Sequence, residues 1–286
     1  MNESKNMDQY FPNTDTQTPA PSLIPLADGD PDLFTVYNPE GKAPLLLVCD
    51  HASRAIPTAL EQLGLPPEAF NLHIAYDIGA AAVTRKLADR LDCMAVLAGY
   101  SRLLIDCNRQ PGDPQSIPEV SDGHRVPGNQ GLSESEQVAR VEAFHLPYHH
   151  AITTALAHLW RHGPPPALFS VHSFTPTLNG QDRHWDIGVL WNRDPRLAVP
   201  LVEKLRAAGR KDDRPLHVGD NEPYSGRDLA YTIDLHAGAG GLANCAVEIR
   251  QDHLETEDEA DHWADMLADA LADIMAMENI HVVQRY

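Results

Sequence analysis

LLLVCDHASRAIP (residues 45–57) decides the fold, because five consecutive apolar residues run directly into an acidic residue and a histidine. A short run that is apolar at every position is typical of a strand covered on both faces, as in a parallel sheet between helices. Two later runs, ALFSVH (Ala167–His172) and NCAVEIR (Asn244–Arg250), have the same form. Shorter apolar runs predict further strands at residues 94–100, 103–106, 186–191 and 216–220, of which 103–106 either extends its predecessor or forms a neighbour.

Helical periodicity separates these strands, and it predicts helices at residues 78–91, 133–160, 195–209 and 256–277. The second helix begins at the capping-box pair Ser133 and Glu136 and should bend at Pro147. Strands that alternate with helices predict an α/β protein, with a single three-layer α/β/α domain and a mixed, mainly parallel sheet. Its functional site is expected at the carboxyl ends of the strands.

The chain divides into a polar, proline-rich arm (residues 1–25), predicted to be flexible, and one domain (residues 26–286). The arm lacks the basic and apolar segments of a secretory signal, and no run reaches the roughly 18 apolar residues of a membrane span. A cytoplasmic location is therefore expected. Residues 110–131 are rich in proline and glycine and predict a long loop.

The composition excludes several classes of protein. With 22 basic and 41 acidic residues among 286, the net charge is −19, which argues against nucleic acid or an anionic membrane as a partner. An anionic substrate would therefore need arginines close to the site. Four cysteines without a CxxC pair exclude a disulfide scaffold and a cysteine-rich zinc ribbon. No GxSxG, P-loop or GxGxxG motif is present, which removes the usual signals of serine hydrolases, NTPases and dinucleotide-binding proteins.

Ionisable side chains lie at the ends of three predicted strands, where a parallel sheet would bring them to one edge. They are Asp50 and His51, His172, and Glu248. Two histidines and a carboxylate suit a catalytic zinc site, in which three protein ligands leave the fourth position to water. His51 and His172 are the candidate histidine ligands. The third ligand stays open between Asp77, which could equally cap the following helix, the weaker His73, and Asp50, which would have to turn away from its strand.

The segment GYSRLLIDCNRQP (residues 99–111) places two arginines around a short apolar stem. A guanidinium group matches a carboxylate through two parallel hydrogen bonds, so Arg102 and Arg109 are candidates for binding a substrate carboxylate. The alternative for these arginines is an internal ion pair, for example with Asp106.

Two further motifs hold polar candidates. FHLPYHHAI (residues 144–152) contains three histidines, of which His149 is the one expected near the site. Cys49 and Cys107 lie beside the site motifs and are conceivable nucleophiles, but within apolar runs they favour the interpretation of small core residues.

Taken together, the motifs resemble the N-formylglutamate amidohydrolase family over residues 45–252. The resemblance rests on CDHASRAIP (49–57), AYDIGA (75–80), YSRLLIDCNRQP (100–111), FHLPYHHAI (144–152), VHSFTP (171–176) and TIDLHAGAGGLANCAVEIRQD (232–252). More distantly, the chain is similar to the zinc acylases related to aspartoacylase and the carboxypeptidases. That wider resemblance implies a three-layer fold of the phosphorylase/hydrolase type.

The resemblance also implies roles for individual residues. The metal ligands would be His51, Asp77 and His172, and Glu248 would activate the water. Asn108 and Arg109 would hold a carboxylate or carbonyl oxygen of the substrate. Further polar positions of the pocket correspond to Arg102, His149 and His236. The first motif reads DHAS instead of PHxG, and the late strand ends in EIRQD instead of an ELxQ form. These departures indicate a subgroup, so the chemistry carries over more safely than the substrate.

The resulting hypothesis is a zinc-dependent amidohydrolase with one Zn²⁺, or another divalent metal, per chain. It would remove an N-acyl group, expected to be N-formyl, from an amino acid, with N-formyl-L-glutamate as the expected substrate. Glu248 would act as general base, Arg109 or His236 would stabilise the oxyanion, and Arg102 or Arg109 would bind the substrate carboxylate.

The partner is then a small N-acyl amino acid, with no nucleic acid and no membrane. Three alternatives remain open: the same chemistry on another N-acyl amino acid or short peptide, a metal-free ligand-binding relative, and a cysteine hydrolase.

Overall fold

Seven strands form a central sheet in the computed structural model, which describes residues 24–178, 180–209 and 214–286. The strands are β1 (Phe34–Tyr37), β2 (Leu45–Cys49), β3 (Met94–Ala98), β4 (Ala167–Phe174), β5 (Ile187–Leu190), β6 (Val218–Asp220) and β7 (Asn244–Arg250). They lie side by side in the order β1-β3-β2-β4-β7-β5-β6. The neighbouring strands β3, β2, β4 and β7 are parallel to one another. β1 is antiparallel to its neighbour β3, and β5 is antiparallel to its neighbour β7. The prediction of a mixed, mainly parallel sheet is confirmed.

Helices cover both faces of this sheet. They are α1 (Ala80–Leu91), α2 (Glu134–Arg140), α3 (Leu146–His162), α4 (Pro195–Ala208), α5 (Tyr231–Ile233) and α6 (Glu257–Met275). α1, α4 and α6 pack on one face, in a core that includes Leu45, Leu47 and Cys49 of β2. α3 packs on the other face with Leu46 and Val48, because alternate residues of a strand point to opposite sides. The predicted three-layer α/β/α architecture is therefore confirmed.

The long helix predicted at residues 133–160 is present but interrupted. Ser133 and Glu136 form the expected capping box at its start. A π-helical segment (Val141–His145) joins α2 to α3, and Pro147 lies in the first turn of α3. Proline is tolerated in the first turn of a helix because an N–H at that position would have no acceptor within the helix.

The predicted strand at residues 103–106 is wrong. Leu103 and Leu104 lie in a turn, and their side chains are buried in a separate apolar cluster with Tyr100 and Phe144. Burial without ladder pairing gives the same apolar pattern as a buried strand, which explains the error.

Other differences are local. Strand β1 was not predicted, and the loop at residues 110–131 contains a short hairpin (Val120–Ser121 with His124–Arg125). The arm predicted at residues 1–25 lies almost wholly outside the described residues. Among the helices that the structure describes, none is both long enough and apolar enough to cross a membrane.

Candidate active site

The carboxyl ends of β2, β4 and β7 bring together the predicted ionisable side chains. Asp50 and His51 follow directly after β2, and the adjacent strand β4 carries His172. Glu248 of β7 lies opposite His172 in the parallel register of the two strands. Two histidines and two carboxylates therefore meet at one edge of the sheet, where an α/β fold is expected to hold its site.

Asp77 reaches the same place from the loop before α1. Its Oδ2 lies 2.8 Å from His172 Nδ1 and 3.2 Å from His51 Nδ1. α1 has Gly79 at its N-cap and no side-chain capping hydrogen bond, so the Asp77 carboxylate is turned to the histidines instead of capping the helix. His73 lies beside this group, with its Nε2 3.8 Å from the other oxygen of Asp77.

His51, Asp77 and His172 form what we call the metal cluster. One donor atom from each residue lies within 4.8 Å of the other two, and all three residues are buried. Two imidazole nitrogens and a carboxylate oxygen are a common ligand set for catalytic zinc, which keeps a fourth position for water. The donor set therefore fits a divalent metal ion.

Two further carboxylates hold the outer nitrogen of each imidazole in the metal cluster. Asp106 Oδ1 lies 2.7 Å from His51 Nε2, and Asp50 Oδ2 lies 3.1 Å from His172 Nε2. A carboxylate behind a ligating histidine fixes its tautomer and its ring orientation. Both rings consequently present Nδ1 to Asp77.

Sequence reasoning missed these two orienting roles. Asp50 was considered as a ligand that would have to turn away from its strand, but its Oδ1 accepts hydrogen bonds from Tyr148 Oη at 2.9 Å and Thr232 Oγ1 at 2.8 Å. For Asp106 the sequence predicts no more than an ion pair with an arginine. The available signal was the position of each acid beside a site motif, directly before His51 and at the start of DxNR.

The electrostatics of the metal cluster favour a positive charge. Burial opposes charged imidazoles, yet the neighbouring carboxylates outweigh it and raise the pKa of both His51 and His172. Burial likewise opposes a charged Asp77, but the two imidazoles outweigh it and hold the pKa of Asp77 well below its ordinary value. A bound divalent cation would supply the same compensation to these carboxylates.

Glu248 has the properties of a general base. Within the described part of the chain, its Oε2 is buried and has no hydrogen-bond partner. Burial raises the pKa of Glu248 from 4.5 to about 7, with a further contribution from the negative charge of Asp77. A carboxylate with a pKa near neutrality can both accept and return a proton at physiological pH.

The arginines of the GYSRLLIDCNRQP segment differ in their surroundings. Arg102 donates to Asp77 Oδ1 at 3.3 Å and to Asp106 Oδ2 at 3.0 Å, so the internal ion pair considered as its alternative is present. Arg109 is half-buried. Burial raises the pKa of Asp106, but neighbouring positive charges outweigh this effect and lower it. His51 contributes most to the lowering, and Arg109 adds to it. Asn108 Oδ1 accepts a hydrogen bond from the backbone N–H of Thr232 at 3.0 Å.

His149 and His236 lie in a second group, which we call the histidine cluster together with His145. His149 Nδ1 and His236 Nε2 are 2.7 Å apart, and His149 Nε2 donates to the carbonyl of Cys107 at 2.8 Å. Both side chains line an open groove of about 620 Å³ between α3 and the turn after α5. The structure therefore brings these two predicted residues to each other, and their catalytic and binding roles stay predictions.

The cysteines are buried and unpaired. Burial raises the pKa of the Cys49 and Cys107 thiols, with neighbouring aspartates adding to the effect. A thiolate nucleophile is disfavoured in such surroundings. The geometry therefore weighs against the cysteine-hydrolase alternative.

Known proteins agree with this fold and indicate its family. A family model described as N-formylglutamate amidohydrolase matches residues 43–255. A solved gene product of Agrobacterium tumefaciens is 34% identical, with a TM-score of 0.83 and coverage of 88% of this chain and 98% of its own. N-formylglutamate amidohydrolase of Ralstonia eutropha has a TM-score of 0.63 over the same coverages and is 19% identical, which shows a shared fold.

Among curated proteins, no significant match to the chain is found. The family model nevertheless spans most of the sequence, including every residue of the metal cluster and Glu248. The chain therefore belongs to the N-formylglutamate amidohydrolase family and is a hydrolase that acts on amide bonds.

Proposed function

We propose that this protein is a zinc-dependent amidohydrolase that cleaves N-formyl-L-glutamate to formate and glutamate. The observation that carries the proposal is the convergence of the metal cluster with Glu248 on neighbouring strand ends. A substrate of this kind agrees with the family to which the chain belongs. A zinc ion held by His51, Asp77 and His172 would polarise the amide carbonyl and acidify water.

The residues of this chain perform the proton transfers. Glu248 accepts a proton from the attacking water at its free Oε2 and then returns that proton to the leaving amine. Asp50 and Asp106 hold the two imidazoles in one orientation throughout, because each bonds the ring nitrogen that faces away from Asp77. Arg109, which is half-buried, supplies positive charge for a substrate carboxylate or for the developing oxyanion.

The surroundings of the proposed reaction follow from charge and redox state. A net charge of −19 supports a small-molecule partner over nucleic acid or an anionic membrane. All four cysteines are free, which supports a reducing compartment such as the cytoplasm.

The test pairs elemental analysis with a hydrolysis assay. We expect about one zinc ion per chain and formate release from N-formyl-L-glutamate that stops on chelation and returns with zinc. Bound zinc without turnover would move the substrate to another N-acyl amino acid or short peptide. Neither zinc nor turnover after zinc addition would favour the metal-free binding protein.

The role of Glu248 has its own test. Glu248→Gln should lower kcat by about 10²- to 10⁴-fold, because the amide cannot accept the proton, while the zinc content stays unchanged. Glu255→Gln, an exposed acid shortly after β7, is the matched control and should keep full activity. A Glu248→Gln enzyme with near-normal kcat would contradict the assignment of the base.

A further inference from the structure

Arg183 is a buried arginine that the sequence motifs did not single out. The residue comes directly after the short hairpin formed by Thr177–Leu178 and Gln181–Asp182, and it is only 8% exposed. The hairpin is itself exposed, so the chain enters the protein interior at Arg183.

The backbone of Arg183 is tied to the strands that carry the site. Its N–H donates to the carbonyl of Pro176 at 2.8 Å, which closes the hairpin after β4. Its carbonyl accepts a hydrogen bond from Arg250 Nη1 at 3.2 Å, and Arg250 lies two residues beyond Glu248 on β7. Arg183 is thus anchored beside the ends of both β4 and β7.

Aromatic rings hold the guanidinium group in place. Its Cζ lies 4.8 Å from the ring centroid of Tyr224 and 5.6 Å from that of Phe174, which is two residues beyond His172. Contact with aromatic faces holds a guanidinium group in place and leaves most of its N–H groups free to bind other partners.

Tyr224 in turn belongs to a loop that packs closely against β5, at the residue that pairs with Glu248. Gly188 is the partner of Glu248 on β5, and a Cβ atom at Gly188 would collide with the carbonyl oxygen of Glu222. The close approach brings the loop that contains Tyr224 onto this part of the sheet. Burial raises the pKa of Tyr224, and the charge of Glu248 raises it further, whereas Arg183 and Arg102 lower it.

The positive charge of Arg183 has no acidic partner within 4 Å among the residues that the structure describes. Its contacts there are the carbonyl of Thr175 at 3.4 Å and the hydroxyl of Tyr224. By contrast, the buried Arg196 pairs with Asp194 at 2.5 Å and donates to three backbone carbonyls. The guanidinium group of Arg183 has five N–H donors, most of which are unused, and its charge is shielded from water. A group with these properties is suited to binding an anion.

We propose that Arg183, held against Tyr224 beside Glu248, binds a carboxylate of the substrate and thereby makes the enzyme specific for an acidic amino acid. This inference rests on the proposed amide hydrolysis and names the residue that selects its substrate. Arg102 is less suited to that task because Asp77 and Asp106 already occupy its guanidinium.

The experiment compares kcat/KM for three substrates in the wild type and Arg183→Gln. The substrates are N-formyl-L-glutamate, N-formyl-L-glutamine and N-formyl-L-isoglutamine. N-formyl-L-glutamate has both carboxylates. N-formyl-L-glutamine has a neutral amide in place of the side-chain carboxylate, and N-formyl-L-isoglutamine has one in place of the α-carboxylate. The wild type should prefer glutamate over one of the two amides by roughly 10- to 100-fold, the worth of a charged hydrogen bond. Arg183→Gln should abolish that preference and leave the activity ratio between glutamate and the other amide unchanged. The preference that is lost identifies the carboxylate that Arg183 binds.

Two further variants complete the set. Arg183→Lys keeps the charge without the planar fork and should retain part of the preference. This variant replaces Arg183→Gln in the comparison if Arg183→Gln unfolds at a lower temperature. Arg227→Gln, an exposed arginine on the loop of Tyr224, is the matched control and should change neither preference.

Several results would overturn the inference. One is a wild type that prefers glutamate over neither amide, and another is an Arg183→Gln enzyme that keeps the wild-type preference. A third is an equal loss of activity on all three substrates, which would mean a purely structural role.

A binding measurement separates this inference from the proposed function. If the wild type hydrolyses none of the substrates, the proposed function fails, and calorimetric titration with glutarate then decides on Arg183. Glutarate that binds the wild type at least about 10-fold more tightly than Arg183→Gln would support the inference alone. Equal or absent binding would overturn both.

Discussion

The metal cluster and the histidine cluster use the same side chain in opposite surroundings. In the metal cluster, His51 and His172 each lie between two carboxylates. In the histidine cluster, His149 instead bonds a second imidazole and a backbone carbonyl.

The difference appears in the pKa values. Carboxylates raise the pKa of the two imidazoles in the metal cluster against the effect of burial. Burial lowers the pKa of His149 to about 3 and that of His236 to about 4, with neighbouring histidines adding to the effect. Carboxylates therefore make an imidazole pair into a site for a cation, whereas an imidazole pair without them stays neutral.

The largest expected difference between the clusters is in metal binding. His172→Gln should lose the bound metal, with a loss of affinity greater than the roughly 10- to 100-fold typical of an orienting partner, because one of three ligands is removed. His149→Gln, the matched change in the other cluster, should keep about one metal ion per chain. Elemental analysis after gel filtration measures both.

The reverse result would exchange the two assignments. Metal lost from His149→Gln and kept by His172→Gln would place the ion in the histidine cluster. Such an outcome would also remove the proposed link between the metal and Glu248.

The orienting carboxylates sharpen the comparison, because no described carboxylate is hydrogen-bonded to an imidazole of the histidine cluster. Asp106→Asn should weaken metal affinity by about 10- to 100-fold, since the amide holds His51 Nε2 without the negative charge. Asp113→Asn changes an exposed acid on the following loop and should leave the affinity unchanged. Competition with a fluorescent chelator measures both variants, and equal affinities would show that Asp106 does not tune the metal.

The comparison also shows how far sequence patterns reach. The all-apolar run of β2 and its position before His51 were enough to predict a covered parallel strand with a site at its end, because burial on both faces leaves no alternation. Leu103 and Leu104 carry the same apolar signal but fill a cluster beneath a turn, so the predicted strand there was wrong.

Spacing was a poorer guide to the partners of each histidine. Three histidines within nine residues suggested a site, yet His145 and His149 lie against one another, and among the described residues neither has a carboxylate as a hydrogen-bond partner. The ligand candidates His51 and His172 are 121 positions apart and meet only through the pairing of β2 with β4. Arg183 gave no signal at all, because the lack of an acidic partner for it among the described residues is a property of the fold and not of any motif.

The smallest expected effect concerns the pH dependence of stability. His149 titrates near 6.5 when unfolded but at about 3 in the folded chain, so between these pH values the unfolded state binds more protons. Stability that is present above pH 6.5 is then lost as the pH falls, by about 1 kcal/mol per pH unit for one such group.

A pair of neighbouring variants isolates this contribution. Urea unfolding measures the free energy of unfolding between pH 6.5 and 4.5. This free energy should fall less steeply with decreasing pH for His149→Gln than for the wild type, by about 1 kcal/mol per pH unit, whatever the absolute stability of the variant. His150→Gln, the adjacent and exposed histidine of α3, should keep the wild-type slope. Ionisable groups of the metal cluster are present in all three proteins and cancel in the differences. Identical slopes would mean that His149 is no more neutral in the folded chain than in the unfolded one, and the contrast between the two clusters would then rest on geometry alone.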